Sequence, residues 1–259
     1  MNKVKKSKTY GFVYVLVGNR DCAHLDSSVK SVRLFDPDAP IRVYCEKTEE
    51  AWVNSIGGEC GVETIVFERD EHDTREENRN SSYMRLIACK DSPWDITCYL
   101  DNDIYVVHDS FWEGFKIAKK FGMCMVENPR LFIKDAIMSK GDLDIGTDVN
   151  DYDKKFLEDM PCNMTALNMG IMFFSKTARD KKFLNTLIEE QKTNPSRGQA
   201  GLYRTIWKTG ISPYSLTRNW LVCKSDAGKI APITLHAGHP EVIAWWNAFM
   251  TAEGLELKT

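Results

Sequence analysis

The first hundred residues alternate between short apolar runs and amphipathic stretches. Tyr10–Val17 is continuously apolar and rich in β-branched and aromatic residues, which is typical of a strand buried on both faces. Apolar residues then recur at helical spacing over 25–35, and Asp36-Pro37 ends that predicted helix. The further predicted strands are Ile41–Cys45, Val62–Phe67 and Ile96–Leu100, and the further predicted helices are Glu49–Ile56, ending at a break at Gly57-Gly58, and Tyr83–Cys89. Because strands alternating with helices form mostly parallel sheets covered on both sides, the sequence predicts an α/β fold.

The second half is less regular. Apolar spacing predicts helices over 111–121, 183–188 and 202–207, and strands at Met123–Val126 and Ala166–Phe174. No internal repeat and no linker rich in Pro, Gly or Ser interrupts the chain. One domain is therefore expected rather than two.

Charge and apolar length exclude several classes of protein. The chain has 34 Lys and Arg against 37 Asp and Glu, a net charge of −3, so it lacks the basic excess of a general nucleic-acid binder. The longest apolar runs, such as Phe12–Val17, have the length of a strand, and no membrane span is expected. The basic N-terminus is not followed by the apolar region of a signal peptide, which predicts a cytoplasmic protein. The eight cysteines form no Cys-x-x-Cys pair, so neither a zinc site nor a redox dithiol is expected.

Two charged stretches interrupt the pattern. Glu68–Arg79 carries nine charges in twelve residues and is expected to be a solvated loop, with a mobile flap over a ligand as the alternative. Gly141–Asp153 contains five aspartates but lacks the glycine position and the closing glutamate of a calcium loop. A solvated acidic loop is the expected structure there.

The segment most informative about chemistry is Ile96–Val107, in which an apolar strand leads into Asp101-Asn102-Asp103 and then into another apolar run. Ligands of open α/β sheets collect at the carboxyl ends of strands. For the bare tripeptide, a solvated turn would be the simpler interpretation. Two carboxylates between apolar segments are costly to hold without a cation, so the context favours a bound Mg²⁺ or Mn²⁺.

The stretch YLDNDIYVV resembles the Asp-x-Asp strand of metal-dependent glycosyltransferases with the GT-A fold, a nucleotide-diphospho-sugar transferase superfamily that includes the glycogenin-like enzymes. The preceding SSYMRLIACKDSPWDITCYLDND is similar to the family's approach to this motif, and Arg85 matches a basic residue that contacts the nucleotide or diphosphate. TALNMGIMFFSKT is similar to the Asn-x-Gly strand that faces donor sugar and acceptor, with Asn168 and Gly170 at the matching positions.

Three further segments extend the resemblance over roughly residues 10 to 240. QAGLYRTIW is similar to a segment that usually reads Asp-Gln, so Gln199 matches the glutamine and Gly198 replaces the aspartate. ITLHAGHP resembles the C-terminal strand whose histidine is the third metal ligand, matched by His236 and Gly238. VYVLVGN looks like the first strand and the loop that holds the base.

The resemblance implies a single GT-A-like domain over 1–259, with a nucleotide- and metal-binding half (1–110) and an acceptor-side half (111–259). It implies transfer of a sugar from a UDP- or GDP-sugar to a glycan or other hydroxyl acceptor, with Mn²⁺ or Mg²⁺ as cofactor. The implied site residues are Asp101, Asp103, Asn168 and Gln199 for catalysis, Val17, Gly18, Arg85, Asn102, Gly170 and Gly238 for donor binding, and Asp101, Asp103 and His236 for the metal. Glu127, Asp148 and Asp151 are candidates for a base or nucleophile, and the choice between them stays open.

Two alternatives belong to other classes. A phosphohydrolase of the haloacid-dehalogenase type would use Asp101 as nucleophile and Asp103 as acid or base. That class predicts its motif near the N-terminus and a second acidic pair, whereas this chain has no Asp-Asp pair. A non-catalytic module that binds sugar or nucleotide is the other alternative, for which Gly198 leaves room.

Overall fold

The computed structural model describes residues 9–18, 22–68, 77–132, 158, 164–193, 198–238 and 240–252. Most of the predicted charged loop Glu68–Arg79 (residues 69–76) and the whole acidic loop Gly141–Asp153, with Asp148 and Asp151, lie outside these residues. The loop prediction is wrong at its end, because Glu77 begins a helix that continues to Asp91.

Two sheets organise the described residues. The strands are β1 (Tyr10–Leu16), β2 (Ile41–Cys45), β3 (Glu63–Val66), β4 (Ile96–Leu100), β5 (Ile104–Val106), β6 (Cys124–Phe132), β7 (Thr165–Ser175), β8 (Tyr214–Leu216) and β9 (Thr234–His236). The larger sheet has seven strands in the order β3-β2-β1-β4-β7-β6-β8, and β5 pairs with β9 in a separate two-stranded sheet. In the larger sheet β7 alone is antiparallel to its neighbours β4 and β6. The predicted α/β class with a mostly parallel sheet is confirmed.

Helices connect and cover the strands. They are α1 (Cys22–Phe35), α2 (Glu50–Cys60), α3 (Glu77–Asp91), α4 (Glu113–Phe121), α5 (Ala178–Thr193), α6 (Gly198–Thr209) and α7 (Pro240–Ala252). The predicted break at Gly57-Gly58 was wrong, because α2 continues through both glycines to Cys60. The helix stops after Cys60 because the next residue, Gly61, has a φ of 64°, the left-handed conformation that commonly terminates helices. Phe111, predicted to begin α4, lies instead in a 3₁₀ turn at Asp109–Trp112.

Strand β1 divides the core into two layers. Its residues Phe12, Tyr14 and Leu16 belong to the apolar cluster that includes α1 and α2, whereas Val13 and Val15 belong to the cluster with α3, α5 and α6. Successive side chains of a strand point to opposite faces, so the continuous apolar run follows from burial on both sides. This confirms the interpretation of the first strand.

Membrane and thiol features complete the description. Over the described residues, no helix combines the length and apolarity needed to cross a bilayer. Six cysteines within the same residues are free thiols, four of them buried: Cys45, Cys89, Cys98 and Cys124.

Candidate active site

The Asp-x-Asp tripeptide forms a turn at the carboxyl end of β4, between the two sheets. The Asp101 amide donates to the Gly170 carbonyl oxygen of β7 at 2.8 Å. Asn102 is buried, and its Nδ2 donates to the carbonyl oxygen of Val15 in β1 at 2.9 Å. The flanking carboxylates of Asp101 and Asp103 are 31% and 25% exposed. Three strands therefore hold the turn, and both carboxylates can reach a ligand.

Asp101 is held by a tyrosine and an arginine. The Tyr99 hydroxyl donates to Asp101 Oδ1 at 2.5 Å. Arg85 of α3 has its Nη1 3.4 Å from the same oxygen and 3.5 Å from the Met169 carbonyl oxygen. Its guanidinium carbon also lies 5.2 Å from the centre of the Tyr99 ring. Arg85 thus joins α3, β4 and β7 at the edge of the sheet.

The surroundings of Asp101 keep the Arg85 guanidinium charged and the Tyr99 hydroxyl neutral. Burial alone would lower the pKa of Arg85, but Tyr99 and Asp101 outweigh it and raise that pKa above its ordinary value. Burial raises the pKa of the Tyr99 hydroxyl well above its usual value, so Tyr99 remains a neutral donor. Arg85 Nε is buried and has no hydrogen-bond partner in the described structure. The guanidinium therefore carries a full positive charge with donor capacity left over.

The Asn-x-Gly segment of β7 brings the backbone against Asp101. The pairing of β6 with β7 shifts register after Met125, so Met169–Ile171 bulge out of that ladder. Asn168 Oδ1 accepts from the Gly170 amide at 2.6 Å. A Cβ at Gly170 would lie 2.9 Å from Asp101 Oδ2, closer than real Cβ contacts allow. The position therefore needs glycine for close approach.

Asp103 is joined to His236 by the small sheet. His236 pairs with Ile104 in the β5–β9 register, and the Ala237 amide donates to the Asp103 carbonyl oxygen at 2.6 Å. His236 Nε2 lies 3.5 Å from Asp103 Oδ2. A Cβ at Gly238 would lie 2.5 Å from that carboxylate oxygen. The fold thus brings a histidine 133 positions away in sequence to the Asp-x-Asp turn.

The described residues contain no group of three or more His, Cys, Asp or Glu side chains arranged to hold a metal ion. Asp103 and His236 form a pair, whereas Asp101 is engaged by Tyr99 and Arg85. The donor atoms themselves, carboxylate oxygen and imidazole nitrogen, are ones that Mn²⁺ accepts.

The other predicted residues belong to β1, α6 and β6 or follow them directly. Val17 and Gly18 follow β1, where Gly18 has a φ of 72°. Gln199 is in the first turn of α6, and its side chain is not among those described. Glu127 in β6 is partly buried, and its Oε1 accepts from the Ser215 hydroxyl at 3.2 Å.

Among the residues that sequence reasoning missed is Tyr203, which supports the site. The Tyr203 hydroxyl of α6 donates to the Leu167 carbonyl oxygen at 3.0 Å and accepts from the Leu167 amide at 3.1 Å. This hydroxyl fixes the backbone next to Asn168. In the sequence Tyr203 is one apolar position of a predicted helix, and no local signal distinguishes it from ordinary core.

Comparisons with known proteins were made by sequence and by structure. The sequence matches no protein-family model, and a comparison with curated proteins found no match. Among solved structures, the chain is similar to the galactosyltransferase LgtC in complex with donor and acceptor sugar analogues. The identity is 15% and the TM-score 0.60, over 96% of this chain and 97% of that chain.

Two further structures show the same likeness. The apo structure of the bifunctional glycosyltransferase WbbM is 16% identical with a TM-score of 0.59, over 92% of this chain and 47% of that chain. The apo form of mouse xyloside xylosyltransferase 1 is 11% identical with a TM-score of 0.56, over 90% of this chain and 98% of that chain. The chain therefore has the fold of these glycosyltransferase structures, the GT-A fold that the sequence motifs predicted.

Proposed function

We propose that the protein is a glycosyltransferase that moves a sugar from a nucleoside-diphosphate donor to an acceptor hydroxyl, with Mn²⁺ or Mg²⁺ on the diphosphate. The observation that supports it most is the convergence of Arg85 and His236 on the two carboxylates of one turn, at the carboxyl edge of the sheet. The similar LgtC structure was solved with donor and acceptor sugar analogues. The likeness of the whole fold to glycosyltransferase structures favours transfer over the phosphohydrolase alternative.

The residues that would hold the metal are Asp101, Asp103 and His236. They offer carboxylate oxygens, which suit Mn²⁺ and Mg²⁺ when diphosphate oxygens complete the coordination, and one imidazole, which favours Mn²⁺ over Mg²⁺. A side chain at position 238 would crowd the Asp103 carboxylate, so Gly238 leaves room beside the proposed ion. When bound, the ion would neutralise the charge that develops on the leaving diphosphate.

The chain's own residues would orient and stabilise the donor. Arg85, with its charge retained and its side chain 15% exposed, can donate charge-assisted hydrogen bonds to a phosphate oxygen. Val17 and Gly18 at the end of β1 would border the base. Asn168 and Gln199 would contact the sugar or the acceptor, as the family resemblance implies.

The direct test measures hydrolysis and transfer with a panel of sugar nucleotides in the presence of Mn²⁺. We expect Asp101→Asn and Asp103→Asn each to lower turnover by about 10²-fold or more, because charge stabilisation of the leaving group is lost. Asp95→Asn is the matched control, since Asp95 is exposed at the opposite end of β4. Circular dichroism should show that all three variants remain folded. Full transfer by a variant that carries both Asp101→Asn and Asp103→Asn would contradict the proposal.

A thermal-shift panel separates the proposal from a non-catalytic module. A ligand that binds only the native state raises the apparent melting temperature. The proposal predicts stabilisation by UDP or GDP that depends on Mn²⁺, together with turnover. Stabilisation by free sugar without metal, and no turnover of any donor, would favour a binding module instead.

A further inference from the structure

A second candidate site lies at the opposite end of the larger sheet from the Asp-x-Asp turn. It is a cavity of about 230 Å³ between the end of α3, the end of β7 and the start of α5. Its lining residues are Lys90, Phe174, Lys176, Lys181, Leu184 and Asn185. Since Ile96, the first residue of β4, pairs with Ser175, the cavity lies about one strand length, ~17 Å, from Asp101.

Three lysines line this cavity: Lys90 near the end of α3, Lys176 in the link between β7 and α5, and Lys181 in α5. Within the described residues, none of Lys90, Lys176 and Lys181 forms an ion pair. Two lysines farther along these helices do have counterions, since Lys192 of α5 pairs with Glu189 at 3.3 Å and Lys208 of α6 pairs with Glu190. Like charges gathered without a counterion repel, so the cavity carries a positive potential that an anion would relieve.

The neighbouring carboxylates do not neutralise the positive charge of the three lysines. Asp180, in the first turn of α5, is buried and accepts from the Ser175 amide at 3.1 Å and from the Ser175 hydroxyl. Asp91 and Asp95 are exposed and form no ion pair with the three lysines in the described structure. The positive charge is therefore available to a ligand.

The walls between the lysines are apolar. Phe174 and Leu184 are 3% and 2% exposed and belong to the core beneath the cavity. Asn185 adds one amide that can donate or accept. The volume is below the ~300–1,000 Å³ of typical drug-sized pockets, so only a small ligand fits. Ammonium groups bind phosphate as compact point charges.

We propose that this cavity binds a small organic phosphate, with the phosphate among the ammonium groups of Lys90, Lys176 and Lys181 and the apolar part against Phe174 and Leu184. The ligand is either a soluble phosphate ester or the headgroup of an anionic phospholipid, since both present this chemistry. The site is separate from the proposed diphosphate site and does not depend on it.

The test uses phenyl phosphate as the probe, with inorganic phosphate and phenol as its charged and apolar halves, measured by calorimetry on the full chain. We expect phenyl phosphate to bind at least about tenfold more tightly than either half, because both parts of the cavity are used. Lys176→Gln and Lys181→Gln should each weaken binding by about threefold or more, and raised salt should weaken it further. The matched control is Lys182→Gln, which removes the same charge from α5 outside the cavity lining.

The same variants identify the source of the ligand. Sedimentation with vesicles of phosphatidic acid in phosphatidylcholine, lost in the Lys176 and Lys181 variants and retained in Lys182→Gln, would assign a lipid headgroup. Binding of phenyl phosphate without vesicle binding would assign a soluble ester. Equal effects of all three lysine variants, or phenyl phosphate binding no more tightly than inorganic phosphate, would overturn the proposal. Loss of binding in Arg85→Gln, with binding retained in Lys176→Gln and Lys181→Gln, would place the probe at the diphosphate site and also overturn the proposal.

Discussion

Gly170 shows how one missing side chain shapes the candidate site. Its carbonyl accepts from the Asp101 amide, its amide donates to Asn168, and a Cβ would meet both of their side-chain oxygens within 3.0 Å. Backbone from β7 can therefore lie directly beside the Asp-x-Asp carboxylate.

We predict that Gly170→Ala lowers turnover by about 10²-fold, since the added methyl displaces the Asp101 carboxylate by a fraction of an ångström or more. Gly58→Ala is the control, because a Cβ at Gly58 in α2 meets nothing within 4 Å. That change should leave turnover intact and raise the free energy of unfolding by about 0.5–1 kcal/mol. Kinetics and denaturant unfolding on both variants test this, and wild-type activity in Gly170→Ala would contradict the close approach.

Tyr203→Phe tests the support behind Asn168. The change removes two hydrogen bonds to Leu167 while keeping the ring, so we expect the free energy of unfolding to fall by about 1–2 kcal/mol. If the hydroxyl positions Asn168, kcat should fall more than KM rises, because donor binding elsewhere is unchanged. Tyr214→Phe, at an exposed tyrosine, should change stability by less than about 0.5 kcal/mol. Equal stability of the Tyr203 and Tyr214 variants would rule out the supporting role.

At the scale of elements, α5 and α6 are joined by a buried ionic cluster. Glu190 accepts from Arg204 Nε at 2.9 Å and from Lys208, and the Arg204 side chain is fully buried. Burial alone would raise the pKa of Glu190, but hydrogen bonds from Lys208 and Arg204 outweigh it and lower that pKa below its usual 4.5. The cluster therefore holds α6, with Tyr203, in place.

We predict that Glu190→Gln lowers the free energy of unfolding at pH 7 by about 3 kcal/mol, because Arg204 loses its buried carboxylate. A carboxylate whose folded pKa is depressed stabilises the protein above its unfolded pKa, and this contribution is lost as the pH falls through the folded value. The gap between wild type and Glu190→Gln should therefore narrow below about pH 4.5. Urea unfolding at pH 7 and pH 4 measures it.

The adjacent Glu189→Gln removes an exposed carboxylate and serves as the control. It should cost less than about 0.5 kcal/mol at either pH. A gap between wild type and Glu190→Gln that is the same at pH 7 and pH 4 would show that the carboxylate charge does not stabilise the helix pair.

The elements best predicted from sequence are those whose pattern is local. β2 and β4 were predicted with their observed bounds, because strands buried on both faces read as continuous apolar runs. The end of α2 was mispredicted, because packing of Ile56 and Cys60 outweighs the low helix propensity of two glycines. The β6–β7 register shift could not be predicted, because pairing register depends on contacts between distant segments.

For the candidate site, sequence identified the turn but not what holds it. Asp101 and Asp103 were predicted as site residues because an apolar strand leads directly into two carboxylates. His236 was reached only through the family resemblance, since nothing local links it to Asp103. Asn102, expected to bind the donor, holds the turn by a hydrogen bond to the Val15 carbonyl oxygen. The two residues are 87 positions apart, so no local sequence pattern predicts this contact.

At the scale of the whole molecule, both apolar layers share one sheet. Cys98 and Cys124 lie in the layer with α1, and Cys89 lies in the layer with α3. Burial raises the pKa of Cys89 and of Cys124 to about 12, so neither is a thiolate near neutral pH in the folded protein.

We predict that these three thiols resist alkylation at pH 8 in the native protein and become reactive together in one urea transition, because a sheet packed on both faces unfolds as a unit. Pulsed alkylation followed by mass spectrometry gives the midpoint for each cysteine. A distinctly lower midpoint for Cys89 would show that the two layers unfold separately, and would argue against the predicted single domain.

The two-stranded sheet of β5 and β9 has a consequence for biosynthesis. All seven strands of the large sheet precede β9 in the chain, so that sheet can assemble before His236 leaves the ribosome. His236 then reaches the site when β9 pairs with β5, and this two-stranded sheet can open without disturbing the seven-stranded sheet. Competence for the proposed chemistry would accordingly be a late and separately reversible event in the life of each newly made molecule.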